Sequence, residues 1–452
     1  MKRFRACNLD QPYLLPPSPN DWLPENHLAR FVAQVVSELD LSGLYAEYGR
    51  QDGRGKAAYH PEMMLRLLIY GYATGRRSSR KLEKATYDDV ACRYLSADQH
   101  PDHDTIAAFR QRHLGEMEKL FVQVLHLCQK AGLVSLGKVA IDGTKLSGNA
   151  SRSRSRRYDR LTEKEREYAH LVSELLAAAE AIDAAEDAQY GAGKQSADLP
   201  QQLATAEQQL TKIRAAKRAL EEEAQQRAET RQREREAQGN KPRDDAQKQR
   251  WHRAKSGKPD GKSRANLTDP DSRLMKGGTA KSFVQGYNAQ VAAEGKHRVV
   301  VGQTVTTAAN DKQQLEPMLD EVMKNLGELP ELVLADAGYW NEEILEEQIE
   351  VGVNVLVPPD GSQSAKSGEL GPSAPRTPFA ETMRKRLATE EEAKLYRQRS
   401  GIVEPVFGWI KERYGYRRFL LRGLAKVKAE WSLICTVVNL QKLFRYGKTA
   451  IA

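Results

Sequence analysis

The sequence predicts a multidomain protein of mixed α+β and α/β character. An all-α N-terminal domain is followed by a mixed-sheet core, which a helical-hairpin insertion interrupts. Three observations support this prediction: apolar residues recur at helical spacing between residues 28 and 136, short apolar runs further along end on acidic residues, and a polar stretch separates those runs. A chain of 452 residues is long enough for two to four domains.

Residues 1–136 are predicted to form the helical domain, with a role in DNA binding or assembly. Leu28–Leu39 carries its apolar residues on one helical face. Pro61 suits the first turn of a further helix, and Gly132 suits the end of the last one. The first residues of the chain are rich in Pro and Asn and are predicted to be an irregular arm.

Several basic residues of this helical domain leave two interpretations open. Arg76, Arg77 and Arg110 lie in short predicted helices. They either dock on a DNA backbone or belong to the solvated faces of a helical bundle. The sequence does not separate these alternatives.

The core is predicted to comprise residues 137–150 and 266–448. Val139–Ile141 forms a short apolar strand that is predicted to end at Asp142. Two strands, a helix and the apolar strand 331–336 follow, and this last strand also ends on an acid, Asp336. A carboxylate at the end of a buried strand is costly unless it is paired or binds a metal.

The insertion, residues 151–265, is predicted to be a helical hairpin with a charged tail. Two apolar series at 3-4 spacing are separated by the turn-like sequence QYGAGKQSADLP, which indicates an antiparallel, coiled-coil-like pair of helices. The tail is highly charged and predicted to be partly disordered. Contact with DNA, contact with protein and a spacer role all remain open for the insertion.

The C-terminal stretch combines one notable carboxylate with many cations. Tyr396–Lys448 contains twelve Lys or Arg residues and three Glu residues. Glu404 begins an apolar-periodic run, and Lys411 follows seven positions later, so an α-helix would place both on one face. Taken alone, this stretch is equally consistent with a solvated helix that carries an ordinary surface glutamate.

The order of these acids points to a metal site. Asp142 and Asp336 end two strands, which would place them a few ångströms apart if the strands are parallel neighbours, and the late helix would add Glu404. Three carboxylates that converge repel one another, and a divalent cation with a preference for oxygen ligands relieves that repulsion. Two such ions stabilise the attacking and leaving oxygens of a phosphoryl displacement, and the surrounding cations would hold the phosphodiester backbone.

The chain resembles the DDE transposases of bacterial insertion sequences. The matching segments are VAIDGTKLSGNAS, DPDSRLM, GYNAQ, VLADAGYWNEE and VEPVFGWIKERYGYRRFLLRGL. The most specific signature of the family is Tyr-x2-Arg-x3-Glu-x6-Lys. Here Tyr396 and Arg399 keep the first gap and Glu404 and Lys411 keep the last, whereas four residues instead of three separate Arg399 from Glu404.

The resemblance implies a ribonuclease-H-like catalytic core that cleaves transposon-end DNA and joins it to target DNA. It implies that Asp142, Asp336 and Glu404 are the catalytic residues and the ligands of two Mg²⁺ or Mn²⁺ ions. Water, and later a terminal 3′-hydroxyl, would be the nucleophile. The implied DNA-binding residues are Tyr396, Arg399, Lys411, Arg417 and Arg418.

Other functions are weighed beside this one. A stand-alone metal-dependent nuclease would cut DNA without joining it, and a non-catalytic DNA-binding protein would not need the three acids. The partner is expected to be double-stranded DNA, bound by a homodimer or a larger assembly. The lack of an apolar run of membrane-spanning length and the four scattered cysteines fit a cytoplasmic protein, and the formal charge of +9 points weakly to nucleic acid. The resemblance to transposases of bacterial insertion sequences implies a bacterial protein associated with the nucleoid.

Overall fold

A computed structural model describes most of the chain. The described residues are 19–48, 58–190, 198–238, 257–277, 283–359 and 377–447. Most of the predicted N-terminal arm and the middle of the charged tail of the insertion, residues 239–256, lie outside these ranges. Within the described ranges, none of the helices combines the length and apolarity that a membrane crossing requires.

Seven helices are described in the N-terminal region: α1 Leu28–Glu38, α2 Ser42–Tyr48, α3 Pro61–Ala73, α4 Ser79–Asp88, α5 Val90–Leu95, α6 His103–Arg112 and α7 Leu114–Lys130. The predicted first helix is confirmed, and Pro61 opens α3 as expected. The side chain of Asp89 caps α5 by accepting hydrogen bonds from two backbone N–H groups of its first turn. Almost all of α3 is buried, so it forms the centre of this region.

Eight strands are described: β1 Val139–Ser147, β2 Ser155–Arg157, β3 Arg264–Asn266, β4 Arg273–Lys276, β5 Phe283–Glu294, β6 Val300–Thr306, β7 Leu332–Leu334 and β8 Asn354–Leu356. Strands β2 and β3 form a small antiparallel pair of their own. The main sheet has the order β4-β5-β1-β7-β8. Strand β6 also pairs with β5, along the part of β5 that follows the residues paired with β4. Pairing is antiparallel from β6 through β5 to β1, and parallel from β1 through β7 to β8. The predicted mixed sheet is therefore confirmed.

The remaining helices are α8 Tyr158–Tyr190, α9 Asp198–Gln238, α10 Leu315–Leu326, α11 Glu342–Glu350, α12 Pro378–Ala388, α13 Glu390–Gly408 and α14 Leu424–Tyr446. Helix α13 continues directly into a π-helical turn, Trp409–Arg413. Helix α14 is buried along most of its length and packs against α7, α3 and β6. One hydrophobic cluster extends from Ala29 to Leu443, so the N-terminal helices and the sheet share a core.

The insertion forms the predicted helical hairpin. Its helices are antiparallel, because Tyr158 and Glu165 near the start of α8 contact Glu221 and Lys217 far along α9. A separate small hydrophobic cluster joins the two helices to Ala265 of β3. The hairpin thus has its own packing and is tied to the core through the β2–β3 pair.

The structure corrects the predicted end of the first strand. Strand β1 does not end at Asp142 but continues to Ser147, because β5 pairs with it over its whole length. Gly143 permits this continuation. An ideal Cβ there would lie 2.4 Å from Gln290 Nε2 and 3.0 Å from Asn288 Oδ1, which is closer than side-chain atoms approach one another.

The arginines of the N-terminal helices are largely engaged within the protein. Arg77 donates to the carbonyl oxygen of Arg418 at 2.6 Å and forms an ion pair with Glu430 at 3.2 Å. Arg110 is buried and donates to the carbonyl oxygen of Arg77, while Arg76 pairs with Asp89. Arg77 and Arg110 are therefore held by contacts within the protein, whereas the side chain of Arg76 stays 39% exposed beside its ion pair.

Candidate active site

Asp142 and Asp336 lie at the same edge of the sheet. Strands β1 and β7 are parallel neighbours, with Val139 opposite Val333 and Ala140 opposite Leu334. The same register, continued by two positions, sets Asp142 beside Asp336. Strand β7 ends before this point, and Asp336 caps the following 3-10 turn by accepting a hydrogen bond from the Gly338 N–H at 2.9 Å. The expected parallel arrangement of the two acidic strands is confirmed.

Three residues of the C-terminal stretch approach this edge. Arg399 on α13 places Nη1 3.0 Å from Asp142 Oδ2. The half-buried Tyr396, one helical turn earlier, lies beside Arg399 within the electrostatic field of both aspartates. Lys411 donates to the hydroxyl of Thr144, two residues beyond Asp142 on the same face of β1. Tyr396, Arg399 and Lys411 therefore lie together around the first aspartate.

The electrostatics of the site favour a bound cation. Burial raises the pKa of Asp142 to about 6, and the negative charge of Asp336 adds to this rise, while Arg399 opposes it. Burial also lowers the pKa of Lys411, and nearby Arg417 contributes to this fall. A desolvated carboxylate that faces a second carboxylate carries its charge at a cost, which a cation placed between them reduces.

A third carboxylate, Asp311, lies on the opposite face of β1 and was missed by the sequence analysis. Its Oδ1 accepts hydrogen bonds from Asn288 Nδ2 and Gln290 Nε2, each at 2.6 Å. Its Oδ2 lies 3.1 Å from Lys145 Nζ. The available signal was the alternation of Asn288 and Gln290 with apolar residues in the middle of β5, which predicts a polar face that needs partners.

Asp311 is close to the second aspartate of the edge. An ideal Cβ built on Gly338 lies 2.9 Å from Asp336 Oδ1 and 3.8 Å from Asp311 Oδ2. Tyr339, the next residue, donates its hydroxyl to Gln290. Burial raises the pKa of Tyr339, and the negative charges of the three aspartates add to this rise. The polar network under the sheet edge is therefore continuous from Asp311 to the turn that follows Asp336.

Glu404 is not placed with the two aspartates. Its side chain is exposed on α13, and within the described ranges no three His, Cys, Asp or Glu residues are arranged to hold a metal ion. Glu404 and Lys411 were expected on one face of an α-helix. The chain instead changes to a π-helical turn at Trp409, so the angular spacing of an α-helix no longer relates these two residues.

The remaining predicted DNA-binding residues lie nearby but outside the edge. Arg417 is exposed and pairs with Glu412. The backbone of Arg418 forms a β-bridge with Ser147 at the end of β1, and its side chain lines a cavity beyond that strand. Arg418 is therefore connected to the site through β1, and Arg417 through its ion pair with Glu412 of the π-helical turn.

The donor set at the edge suits a hard divalent cation in its chemistry. Asp142 and Asp336 offer carboxylate oxygens, which Mg²⁺ and Mn²⁺ prefer as ligands. Their mutual repulsion and the burial of Asp142 give such an ion a clear electrostatic benefit. Two protein carboxylates are fewer than a closed metal site needs, which suits an ion that also binds water or substrate oxygens.

Comparison with known proteins adds two matches. A family model described as "Transposase DDE domain" matches residues 245–440, which include Asp336 and Glu404. A second model, described as "Transposase domain (DUF772)", matches residues 17–112 in the helical region. No curated protein and no solved structure matches the chain.

Proposed function

The chain is a DDE transposase, an enzyme of DNA transposition, and from this premise we propose that its catalytic centre is the sheet edge at Asp142 and Asp336. The supporting observation is the parallel register of β1 and β7, which sets the two carboxylates side by side. We further propose that the core is ribonuclease-H-like. The strand order β6-β5-β1-β7-β8, antiparallel in its first part and parallel in its second, supports this assignment.

We propose Asp142, Asp336 and Glu404 as ligands of Mg²⁺ or Mn²⁺, with two ions in the active complex. The first two are supported by their burial and mutual repulsion. Glu404 is supported by its place in the family signature, and we propose that it joins the pair when DNA is bound. The ions would supply Lewis-acid stabilisation of charge on the attacking and leaving oxygens of the phosphodiester.

The residues of the chain itself then have distinct roles. Arg399 neutralises Asp142 and, with Tyr396, orients the carboxylate from α13. Lys411 presents its ammonium group beside Thr144 on the face of β1 that carries Asp142, where it would contact a phosphate next to the scissile bond. Arg417 and Arg418 would extend this phosphate contact along the strand. Asp311 would keep β5 and β1 in place beneath the edge through its hydrogen bonds.

The proposal extends to assembly and domain organisation. Residues 1–136 would bind DNA or assemble the complex, 137–150 together with 266–448 would form the catalytic core, and 151–265 would be the insertion. The substrate would be double-stranded DNA of transposon ends and target, bound by at least a dimer because two ends must be cut together. The place of action would be the bacterial nucleoid.

Cleavage of a supercoiled plasmid that carries the element ends tests this function. Asp142→Asn and Glu404→Gln should bind the ends but neither cut nor join them, whereas Glu391→Gln, an exposed glutamate on the same helix as Glu404, should act like wild type. Joined products identify a transposase reaction, and linear products alone favour the nuclease. Full cutting and joining by Asp142→Asn would show that the sheet edge is not the catalytic centre.

A further inference from the structure

A strongly basic cavity of about 890 Å³ lies between the core and the insertion. We call it the hairpin pocket. It is formed by the end of β1 and the loop that follows, the start of β5, one residue of α9 and the segment before α14. Its lining contains five cationic side chains and one large aromatic: Arg152, Arg154, Lys212, Arg418, Arg422 and Phe283. Among the residues that line it, none is acidic.

The cations of the hairpin pocket form no close ion pairs among the described residues, and only Arg422 lies within the electrostatic field of a carboxylate, that of Asp269. None of the five forms an ion pair there. Arg422 donates to the carbonyl oxygen of Asn149 at 2.9 Å, and Arg152 approaches that of Phe283 at 3.5 Å, so each keeps further N–H groups for a ligand. Five like charges around one concavity repel one another, and a polyanion would remove that repulsion.

The aromatic side chain indicates which kind of polyanion the pocket would bind. Phe283 is 49% exposed although it is large and apolar, and it lies among the cations. A basic groove combined with an exposed aromatic is the arrangement that binds single strands, because the cations follow the backbone while an unpaired base stacks on the ring. A base inside a duplex could not reach the ring in this way.

The position of the pocket relates it to the catalytic edge. Ser147, at the end of β1, lines the pocket and follows Asp142 by five residues on the same strand. At about 3.4 Å per residue this separation is roughly 17 Å. The pocket therefore lies roughly 17 Å from the edge, at the far end of β1.

We propose that the hairpin pocket binds an unpaired segment of the DNA strand roughly 17 Å from the catalytic edge, with one base stacked on Phe283. This inference rests on the proposed catalytic edge and names a second contact for the same substrate. It also assigns a role to the insertion. Lys212 on α9 reaches the pocket from the hairpin, so the insertion contributes to DNA contact and is not only a spacer.

Binding of labelled DNA to the full-length protein in EDTA tests the charged part of the pocket. The triple variant Arg152→Ala, Arg154→Ala, Lys212→Ala should weaken binding of a single-stranded oligonucleotide and lower the slope of log K against log salt by about 0.7 per lost contact. The control triple variant Arg160→Ala, Arg166→Ala, Arg218→Ala removes the same charge from exposed positions of the insertion outside the pocket. Equal slopes for the two triple variants would overturn the proposal.

The stacking part has its own test. Phe283→Ala should weaken binding of a duplex with an unpaired tail by about 5- to 100-fold, while Phe283→Tyr should keep it and a blunt duplex should be affected much less. An equal loss on blunt and tailed duplexes would refute the stacked base. Because binding is measured without divalent ions, its outcome is independent of cleavage. Full cleavage by Asp142→Asn with the expected binding losses in the pocket variants would refute the catalytic edge alone. Loss of cleavage in Asp142→Asn without those binding losses would refute the pocket alone.

Discussion

Two pairs of carboxylates in the core differ in how their charge is compensated. Glu430 on α14 is buried and accepts hydrogen bonds from the N–H groups of Leu420 and Leu421, at 2.9 and 3.0 Å, in addition to its ion pair with Arg77. Asp269 accepts the hydroxyl of Tyr287 at 2.8 Å and the N–H of Gly423 at 3.0 Å. We call Asp269 and Glu430 the clamp carboxylates.

The edge carboxylates Asp142 and Asp336 have fewer partners. Asp142 accepts a hydrogen bond from the adjacent Gly143 N–H and pairs with Arg399, while Asp336 accepts one from Gly338 N–H. Burial raises the pKa of Asp142, and the charge of Asp336, which faces it, adds to this rise. The comparison teaches that burial alone does not mark a functional acid in this protein. Carboxylates saturated by donors hold the segment before α14 in place, and those left short of donors are the ones suited to bind a cation.

The largest expected effect on stability comes from removing the charge of a clamp carboxylate. Glu430→Gln should lower the free energy of unfolding by about 3 kcal/mol, because it leaves the largely buried Arg77 without its counter-charge. Urea unfolding followed by circular dichroism measures this change. Asp142→Asn is the matched comparison at the edge and should cost much less, because it relieves the repulsion from Asp336, and the charge of Asp336 still compensates Arg399. Similar losses in both variants would erase the distinction between the two pairs.

The sequence was sufficient for the features that depend on local pattern. The apolar runs before Asp142 and Asp336 predicted two buried strands, and the parallel pairing that the sequence analysis assumed for them is observed between β1 and β7. The hairpin of the insertion followed from its 3-4 spacing. These features are encoded within single segments, so periodicity detects them.

The remaining features depend on contacts between distant segments. The continuation of β1 to Ser147 requires β5, which pairs with it from more than a hundred residues away. Asp311 lies in a polar loop without periodicity, and its role becomes visible only when Asn288 and Gln290 are placed above it. The exposure of Glu404 agrees with the surface-glutamate alternative of the sequence analysis. The π-helical turn between Glu404 and Lys411 could not be foreseen, because it has no simple pattern in the sequence.

The pH dependence of stability should sharpen the comparison next. In the metal-free protein the pKa of Asp142 is about 6, above its ordinary value of 3.8, so the folded state binds a proton more tightly than the unfolded state. Its stabilising contribution is therefore full below pH 3.8 and is lost as the pH rises through about 6. The charged groups that face Asp142 are Asp336, Arg399 and Lys411, of which only the first favours the protonated form.

Unfolding of wild type and Asp142→Asn in EDTA across this pH range measures the contribution. The difference in unfolding free energy between the two proteins should change by about 2 kcal/mol between pH 4 and pH 7, with wild type losing stability relative to the variant. Comparing the two proteins cancels the titration of all other carboxylates. If the difference in unfolding free energy stayed constant across the range, the pKa of Asp142 would not be raised in the folded protein.

The smallest expected effect separates Glu404 from the edge pair. Without DNA, Mg²⁺ or Mn²⁺ at ten times its dissociation constant should stabilise wild type by about 1.4 kcal/mol, measured as a shift in thermal unfolding. Asp336→Asn should lose this stabilisation because it removes half of the pair. Glu404→Gln should keep it, since Glu404 is exposed and apart from both aspartates, although it is expected to abolish cleavage. If Glu404→Gln loses the metal shift as well, Glu404 reaches the pair without DNA, and the proposal that DNA brings it there is wrong.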